Sequence, residues 1–259
     1  LIGRTGPARL RDDALTIWHA GVAAVDSERL VRGAVRATAD NLEVFSRSIP
    51  IGPTARVVAV GGGKAGAGMA AGLEAALASS TLFQRLNGWV NVPDDCVRPL
   101  SRIHLHAARP PGLNVPTAAG VAGTKAILDR VRPLSADDLC LVLLSGGGSA
   151  LLPAPAPGLS LADKLAVTRL LMANGATINE LNCVRKHLSS FKGGRLARAA
   201  GEARVVSLII SDVIDDPLDV IASGPTVADS STAADALAIL ERFANPRAEV
   251  PESVWSLLN

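Results

Sequence analysis

An α/β fold, with a mainly parallel Rossmann-like sheet and helices on both faces, follows from three observations in this 259-residue sequence. Short apolar runs such as Val57–Val60, Asp138–Ser145 and Arg204–Ile210 have the length and residue types of buried parallel strands. Between them lie segments with helical spacing, so strand and helix alternate, the arrangement that gives a covered parallel sheet. Three of the strands end in polar or glycine turns: Gly61–Lys64, Ser145–Ser149 and Ser211–Asp212. In open α/β sheets ligands bind beyond such carboxyl ends, so these turns are the first candidates for a site.

Each element has its own local cause. Arg11–Ala24 places Ala14, Leu15, Trp18 and Val22 at helical spacing, and Ser27–Ser46 is read as a second amphipathic helix with Val31, Ala34, Val35, Leu42 and Phe45 on one face. Together they make a helical lead-in over 11–46. Two prolines in Ile49–Thr54 mark a linker, and the sheet domain starts at about residue 55. The strand Arg56–Val60 breaks into three glycines and Lys64, followed by an Ala-rich helix over Met69–Ser79. Gly88–Val92 is the next strand. Ser101–Ala107 alternates Ile103 and Leu105 with His104 and His106, the period of a strand with one wetter face. Arg109–Thr117 is a loop by its prolines, and Ala118–Val131 a helix stopped before Pro133. After the most apolar strand and its Gly146-Gly147-Gly148 turn, helices fit Ser160–Met172, Thr177–Leu188 and Gly194–Ala200. The strand Arg204–Ile210 reads as buried, and helices over Thr232–Phe243 and Pro251–Leu258 follow.

Composition narrows the function classes. Apolar residues make up 48% and charged ones 19%, the balance of a globular protein with a large core. A net charge of +2, scattered basic residues and 3% aromatics argue against a nucleic-acid surface. No apolar run reaches transmembrane length and no signal-peptide pattern opens the chain. Cys96, Cys140 and Cys183 are widely spaced and odd in number, so they read as reduced thiols of a cytoplasmic protein. The first residue is Leu1, compatible with a fragment at that end.

The motifs point to an anion. Gly61–Gly66 satisfies G-x-G-x-x-G after a strand, but the dinucleotide pattern wants an acid about twenty residues on, and Asp94 and Asp95 come later, beyond a proline. Walker A fails too: Val58 replaces its first glycine and Ala65 its hydroxyl. What is left is a turn whose glycines admit a ligand to the backbone and the first N–H groups of a helix, with Lys64 as a point charge. Only 5 of the 26 basic side chains are lysines, which makes a lysine at this opening notable. Ser145–Ser149 could cradle a phosphate on successive N–H groups. As a nucleophile elbow it lacks the last glycine, where Leu151 stands. Asn182, Arg185 and Lys186 are three or four apart and share one helix face, with the basic glycine turn Lys192–Arg195 close behind. Asp212 at a strand end suits a metal ligand, a helix cap or a base. His104 and His106 lack a third ligand for a metal site.

Taken together, Val57–Gly68 (VVAVGGGKAGAG), Leu143–Ala150 (LLSGGGSA), Ile178–Ser189 (INELNCVRKHLS), Lys192–Leu196 (KGGRL) and Ser211–Thr226 (SDVIDDPLDVIASGPT) resemble the glycerate 2-kinase family, as does the opening helix Ala14–Ala20. Members carry a glycerate-kinase-type N-terminal domain followed by a C-terminal MOFRL domain. The resemblance implies ATP-dependent, Mg²⁺-assisted phosphorylation of D-glycerate to 2-phosphoglycerate. By position it implies Lys64 and Asp212 as catalytic residues, Asp212 also as the metal ligand. Gly61, Gly62, Gly63 and Ser145, Gly146, Gly147, Gly148, Ser149 are implied to bind nucleotide phosphate, and Asn182, Arg185 and Lys186 the substrate, with Arg185 suited to a carboxylate. The family usually has glycine at Asp215, so a positive φ and some strain are expected there. The resemblance makes 1–259 a single N-terminal-type domain without its MOFRL partner, expected to be weakly active or inactive alone; a homodimer is compatible with it. An NAD(P)H-dependent hydroxypyruvate reductase and a non-catalytic nucleotide- or hydroxy-acid-binding domain are the alternative readings.

Overall fold

The computed structural model describes residues 7–38, 40–244 and 249–259; Leu1, and Ala39 within the second expected helix, lie outside them. Helix α1 (Pro7–Ala24) leads into α2 (Ser27–Ala34), capped by the Asp26 carboxylate, which accepts from the Arg29 N–H. The helix expected over Ser27–Ser46 stops there. Three short antiparallel strands follow instead, β1 (Val35–Ala37), β2 (Asn41–Val44) and β3 (Arg47–Pro50). The reason lies in the pattern itself. Leu42 and Val44 are both buried and alternate with Glu43 and an exposed Phe45, a period of two. Phe45 takes a left-handed φ of 52°, which turns the chain from β2 into β3 and absorbs part of the expected linker.

The main sheet has five parallel strands: β4 (Val57–Gly62), β5 (Leu86–Pro93), β6 (Ile103–Arg109), β7 (Leu139–Ser145) and β8 (Arg204–Ile210). Their spatial order is β6-β5-β4-β7-β8. Numbered from β4 as the first strand this is 3-2-1-4-5, the doubly wound order, with its topological switch point between β4 and β7. One face of the sheet packs on α3 (Gly66–Leu77), α2 and the small antiparallel sheet, around Met69, Leu73 and Leu141. The other face packs on α5 (Ala118–Val131) and α9 (Arg195–Ala199), around Ile127, Val142 and Phe191. β8 is an edge strand, half-buried except for an exposed Arg204 and a buried Leu208, and so less enclosed than its apolar sequence suggests.

The later helices do not all cover the sheet. Helices α7 (Leu161–Ala173), α8 (Ile178–His187), α10 (Ala233–Phe243) and α11 (Glu252–Leu258) bury their apolar stripes against one another, around Leu171, Val184, Leu240 and Trp255. Three of them start with a capping box: Ser160 with Asp163, Thr177 with Glu180 and Thr232 with Asp235. Arg242 reaches across from α10 to Glu180 of α8. Two one-turn helices complete the set, α4 (Leu82–Arg85) and α6 (Gly148–Leu151).

Candidate functional site

The glycine turns after β4 and β7 lie on the two strands that flank the switch point, and they are joined to each other. The Lys64 N–H donates to the Gly146 carbonyl at 2.9 Å, and the Ala65 N–H to the Ser145 hydroxyl at 3.0 Å. The Gly63 N–H goes to the Asn91 carbonyl of β5 at 3.2 Å, and the Gly66 N–H turns back to the Gly63 carbonyl at 3.1 Å. Gly61 and Gly62 are strand residues, in register with Leu143 and Leu144 of β7. These bonds correct one expectation. The N–H groups of the Gly61–Lys64 turn hold the turn to its neighbours, so Gly61, Gly62 and Gly63 have no free donors to cradle a phosphate. Their glycine identity serves close packing: a side chain at Gly61 would run into the Leu143 carbonyl, and one at Gly63 into the Ser145 hydroxyl.

The second turn is open. Gly147 has φ +82°, and the N–H groups of Gly147, Gly148 and Ser149 make no hydrogen bond among the described residues. Three successive free donors form an anion-binding concavity. Lys64, exposed at the end of its turn, lays its side chain alongside: a Cβ at Gly147 would lie 3.4 Å from the Lys64 Cε. The same position would lie 3.2 Å from Nη2 of Arg109. Arg109 ends β6, is 3% exposed, and its buried Nε has no partner among the described residues. A buried guanidinium without a carboxylate is costly, and here it opens with Lys64 onto a cavity of about 280 Å³ that also touches Asp95, Cys96 and Asn114. Arg109 was hidden in the sequence by the proline loop that follows it; its one signal was its place at the carboxyl end of an alternating strand.

Asp212 arrives from the third strand end. Its carboxylate packs against Gly146, where any side chain would overlap it. It is exposed, at the rim of the open turn. Among the described residues no group of three or more His, Cys, Asp or Glu side chains is placed to hold a metal ion. Mg²⁺ is commonly bound by one or two carboxylates plus substrate phosphates, and a lone Asp212 beside a phosphate-sized turn fits that kind of site. Asp215, in the stretch that follows, has φ 64° and Asp216 has φ 49°, the left-handed conformation anticipated at a position where glycine is usual.

The substrate-side trio divides. Ser149 Oγ and Ser223 Oγ share a hydrogen bond of 2.8 Å, and Ser223 Oγ reaches Asn182 Oδ1 at 3.4 Å, which ties α8 to the open turn. Ser223 is fully buried with φ 62°. Lys186 is buried and paired with Asp229 at 3.4 Å and Asp219 at 3.5 Å, so its ammonium is engaged by carboxylates rather than open to a ligand. Arg185 makes no hydrogen bond or ion pair among the described residues, and burial lowers the pKa of its guanidinium. Lys192, in the basic glycine turn, is buried and donates to the Ser149 carbonyl at 3.0 Å and the Ala222 carbonyl at 3.4 Å. His104 and His106 share one side of β6, as the alternation requires, and stack on Trp89 at 4.1 Å and 5.1 Å, away from the glycine turns.

Comparisons with known proteins show the family and the fold. The model of a family described as "Domain of unknown function (DUF4147)" matches residues 13–259. The chain is 44% identical over 230 residues to a putative hydroxypyruvate reductase of Agrobacterium vitis, covering 89% of this chain and 50% of that protein. It is 40% identical over 262 residues to the glycerate kinase of Bos taurus, covering 96% of this chain and 49% of that one. The crystal structure of the Thermotoga maritima glycerate kinase superposes with a TM-score of 0.78 at 34% identity, over 97% of this chain and 55% of that chain. The chain thus spans about half the length of the curated relatives it matches. With the match running through nearly every described element, the chain belongs to the DUF4147 family, the N-terminal domain type of the glycerate kinases.

Proposed function

We propose that this chain carries one wall of the active site of an ATP-dependent glycerate 2-kinase. The observation that carries the reading is the convergence of Lys64, Arg109 and the three free N–H groups of Gly147–Ser149 on one spot, with Asp212 at its rim. Phosphoryl transfer is mostly positioning and charge neutralisation, and this spot supplies both. The γ-phosphoryl group of ATP would rest on the Gly147–Ser149 turn, its oxygens facing Lys64 and Arg109. The 2-hydroxyl oxygen of D-glycerate forms the new P–O bond as the bond to ADP breaks, and Asp212 takes the hydroxyl proton. Mg²⁺ bound through Asp212 and the nucleotide phosphates would neutralise charge on the transferred group. Arg185 serves the substrate carboxylate, with Asn182 and Lys186 bracing it. Residues 1–259 then form a single domain that faces a MOFRL domain across the cleft of a cytoplasmic enzyme, and a homodimer is compatible with this.

The reductase reading draws on the name of the Agrobacterium vitis relative and on the doubly wound strand order. Against it stand the N–H groups of Gly63, Lys64, Ala65 and Gly66, the ones a dinucleotide pyrophosphate would need, which are all taken internally. A coupled assay decides between the two. The kinase reading requires ADP and 2-phosphoglycerate from ATP and D-glycerate by this chain joined to the C-terminal half of a matched glycerate kinase. NADH consumption with hydroxypyruvate, and no ADP release, would replace it.

A further inference from the structure

Beside the open glycine turn lies a second, smaller cavity, of about 30 Å³, walled by Ser149 of α6, Lys164 of α7, Arg185 of α8 and Lys192. Its chemistry is one-sided: three cationic side chains and no carboxylate line it. Lys164 is 9% exposed and Lys192 3%. Lys164 Nζ donates to the Leu188 carbonyl at 2.7 Å, and Lys192 Nζ to the Ser149 and Ala222 carbonyls, so each ammonium keeps at least one N–H without a protein acceptor. The Arg185 guanidinium has no partner among the described residues. Burial, then repulsion from Arg185 and Arg195, pushes the Lys164 ammonium down to about 7. Burial, with Lys164 and Arg185 nearby, pushes Lys192 down as well. Such a cluster is unfavourable when fully protonated, and an entering anion would favour the ammonium form of both lysines and offset their charge together with that of Arg185.

Size narrows the anion. About 30 Å³ is room for two waters, or for the few heavy atoms of a carboxylate group, and is too small for a tetrahedral phosphate with its linkage. Leu161, Leu165 and Pro153 supply apolar wall to the same cavity. We propose that this cavity is a carboxylate pocket, in which Lys164, Arg185 and Lys192 together hold the carboxylate of a short hydroxy acid. Ser149 belongs to both the pocket and the phosphate-sized turn, so an acid anchored here is held beside the place where a phosphoryl group would rest. Lys164 had no place among the sequence candidates. Naming the acid as the kinase substrate rests on the function proposed above; the pocket's preference for carboxylate does not.

The test is a binding titration on the 259-residue chain, with glycolate and D-glycerate as probes and glycerol and sulfate as controls. The two carboxylates should bind saturably, and glycerol, which lacks the charge, and sulfate, which is tetrahedral, should bind at least tenfold more weakly. Lys164→Met should weaken glycolate binding at least tenfold. Arg185→Gln, on a half-buried wall residue, should do the same if the lysine variant fails to fold. Melting curves of both variants check the fold. Nucleotide-analogue binding should stay within twofold of the parent in each. Absence of saturable glycolate binding, equal binding of glycerol, or equal glycolate affinity in folded Lys164→Met or Arg185→Gln would overturn the pocket and leave the two lysines as braces for backbone carbonyls. Lys164-dependent glycolate binding, with no 2-phosphoglycerate formed by the chain joined to the C-terminal half of a matched glycerate kinase, would keep the pocket and remove the kinase reading.

Discussion

The backbone N–H of Lys64 donates to the carbonyl of Gly146 across 2.9 Å, so the two glycine turns at the switch point are one unit. Lys64 is thereby placed by a residue 82 positions later in the chain. The first turn holds the second in shape, and the second keeps its N–H groups free. Gly63→Ala tests this coupling. Its Cβ would meet Ser145, whose hydroxyl accepts from Ala65, at a backbone φ of +157° that disfavours any side chain. A loss of about 1–3 kcal/mol in denaturant unfolding is expected, together with weaker nucleotide binding. Stability unchanged from the parent would show that the turns move independently.

Lys64→Ala and Arg109→Met should separate charge from fold. Lys64 is exposed, so its alanine variant should unfold at the parental midpoint, while phosphoryl transfer by the chain joined to the C-terminal half of a matched glycerate kinase drops about a hundredfold or more. Arg109 is buried without a partner among the described residues, so methionine, which keeps the apolar stem, should raise stability by about 1–3 kcal/mol while nucleotide binding falls. Gain of stability with loss of binding is the signature of a charge kept for a ligand. Destabilisation by Arg109→Met would mark the guanidinium as a structural group.

Arg56 and Asp138 close the sheet at its opposite end. The Arg56 N–H and guanidinium both donate to the Asp138 carboxylate, which also takes the Ser135 N–H and hydroxyl. The guanidinium, followed by the Ser135 bonds, holds this carboxyl well below the usual carboxylate range. A depressed acid contributes stability that is present above its unfolded value and is lost as pH falls toward its folded one. Arg56→Ala should therefore cost about 1–2 kcal/mol at neutral pH. The difference from the parent should shrink progressively as the pH is lowered below about 4 in urea titrations.

The lysine cluster predicts a slope of the same sign on the alkaline side. Lys164 sits at about 7 in the folded chain against an ordinary 10.5. Between those values the unfolded chain carries a proton that the folded one lacks, so stability rises with pH through this window, by up to about 1.4 kcal/mol per pH unit for one such group. Lys192, also lowered by burial, acts in the same sense. Burial raises the Cys140 thiol from 9.0 to about 12, so above about pH 9 its unfolded-state ionisation works against the trend. Urea melts at pH 7, 8 and 9 should show rising midpoints, and Lys164→Met should flatten the rise. Saturating glycolate should flatten it too, because a bound anion restores the lysine proton.

The strands and their turns were legible because periodicity and glycine punctuation are local. Arg204–Ile210 and Ala118–Val131 fall where the spacing puts them, and the turns at Lys64, Ser145–Ser149 and Asp212 meet at one edge because parallel strands align their carboxyl ends. The Ser27–Ser46 segment was misjudged because Val35, Leu42 and Phe45 satisfy a helical period while Leu42 and Val44 satisfy a strand, and packing on α3 selects the latter. Which glycine turn keeps free N–H groups was a tertiary matter, since the acceptors for Gly63, Lys64 and Ala65 come from Asn91, Gly146 and Ser145. So was the role of each cation. Lys186 meets Asp219 and Asp229, while Arg109, Lys164 and Arg185 pair with no acid among the described residues, and only distances between residues far apart in the chain could tell a paired lysine from an unpaired one.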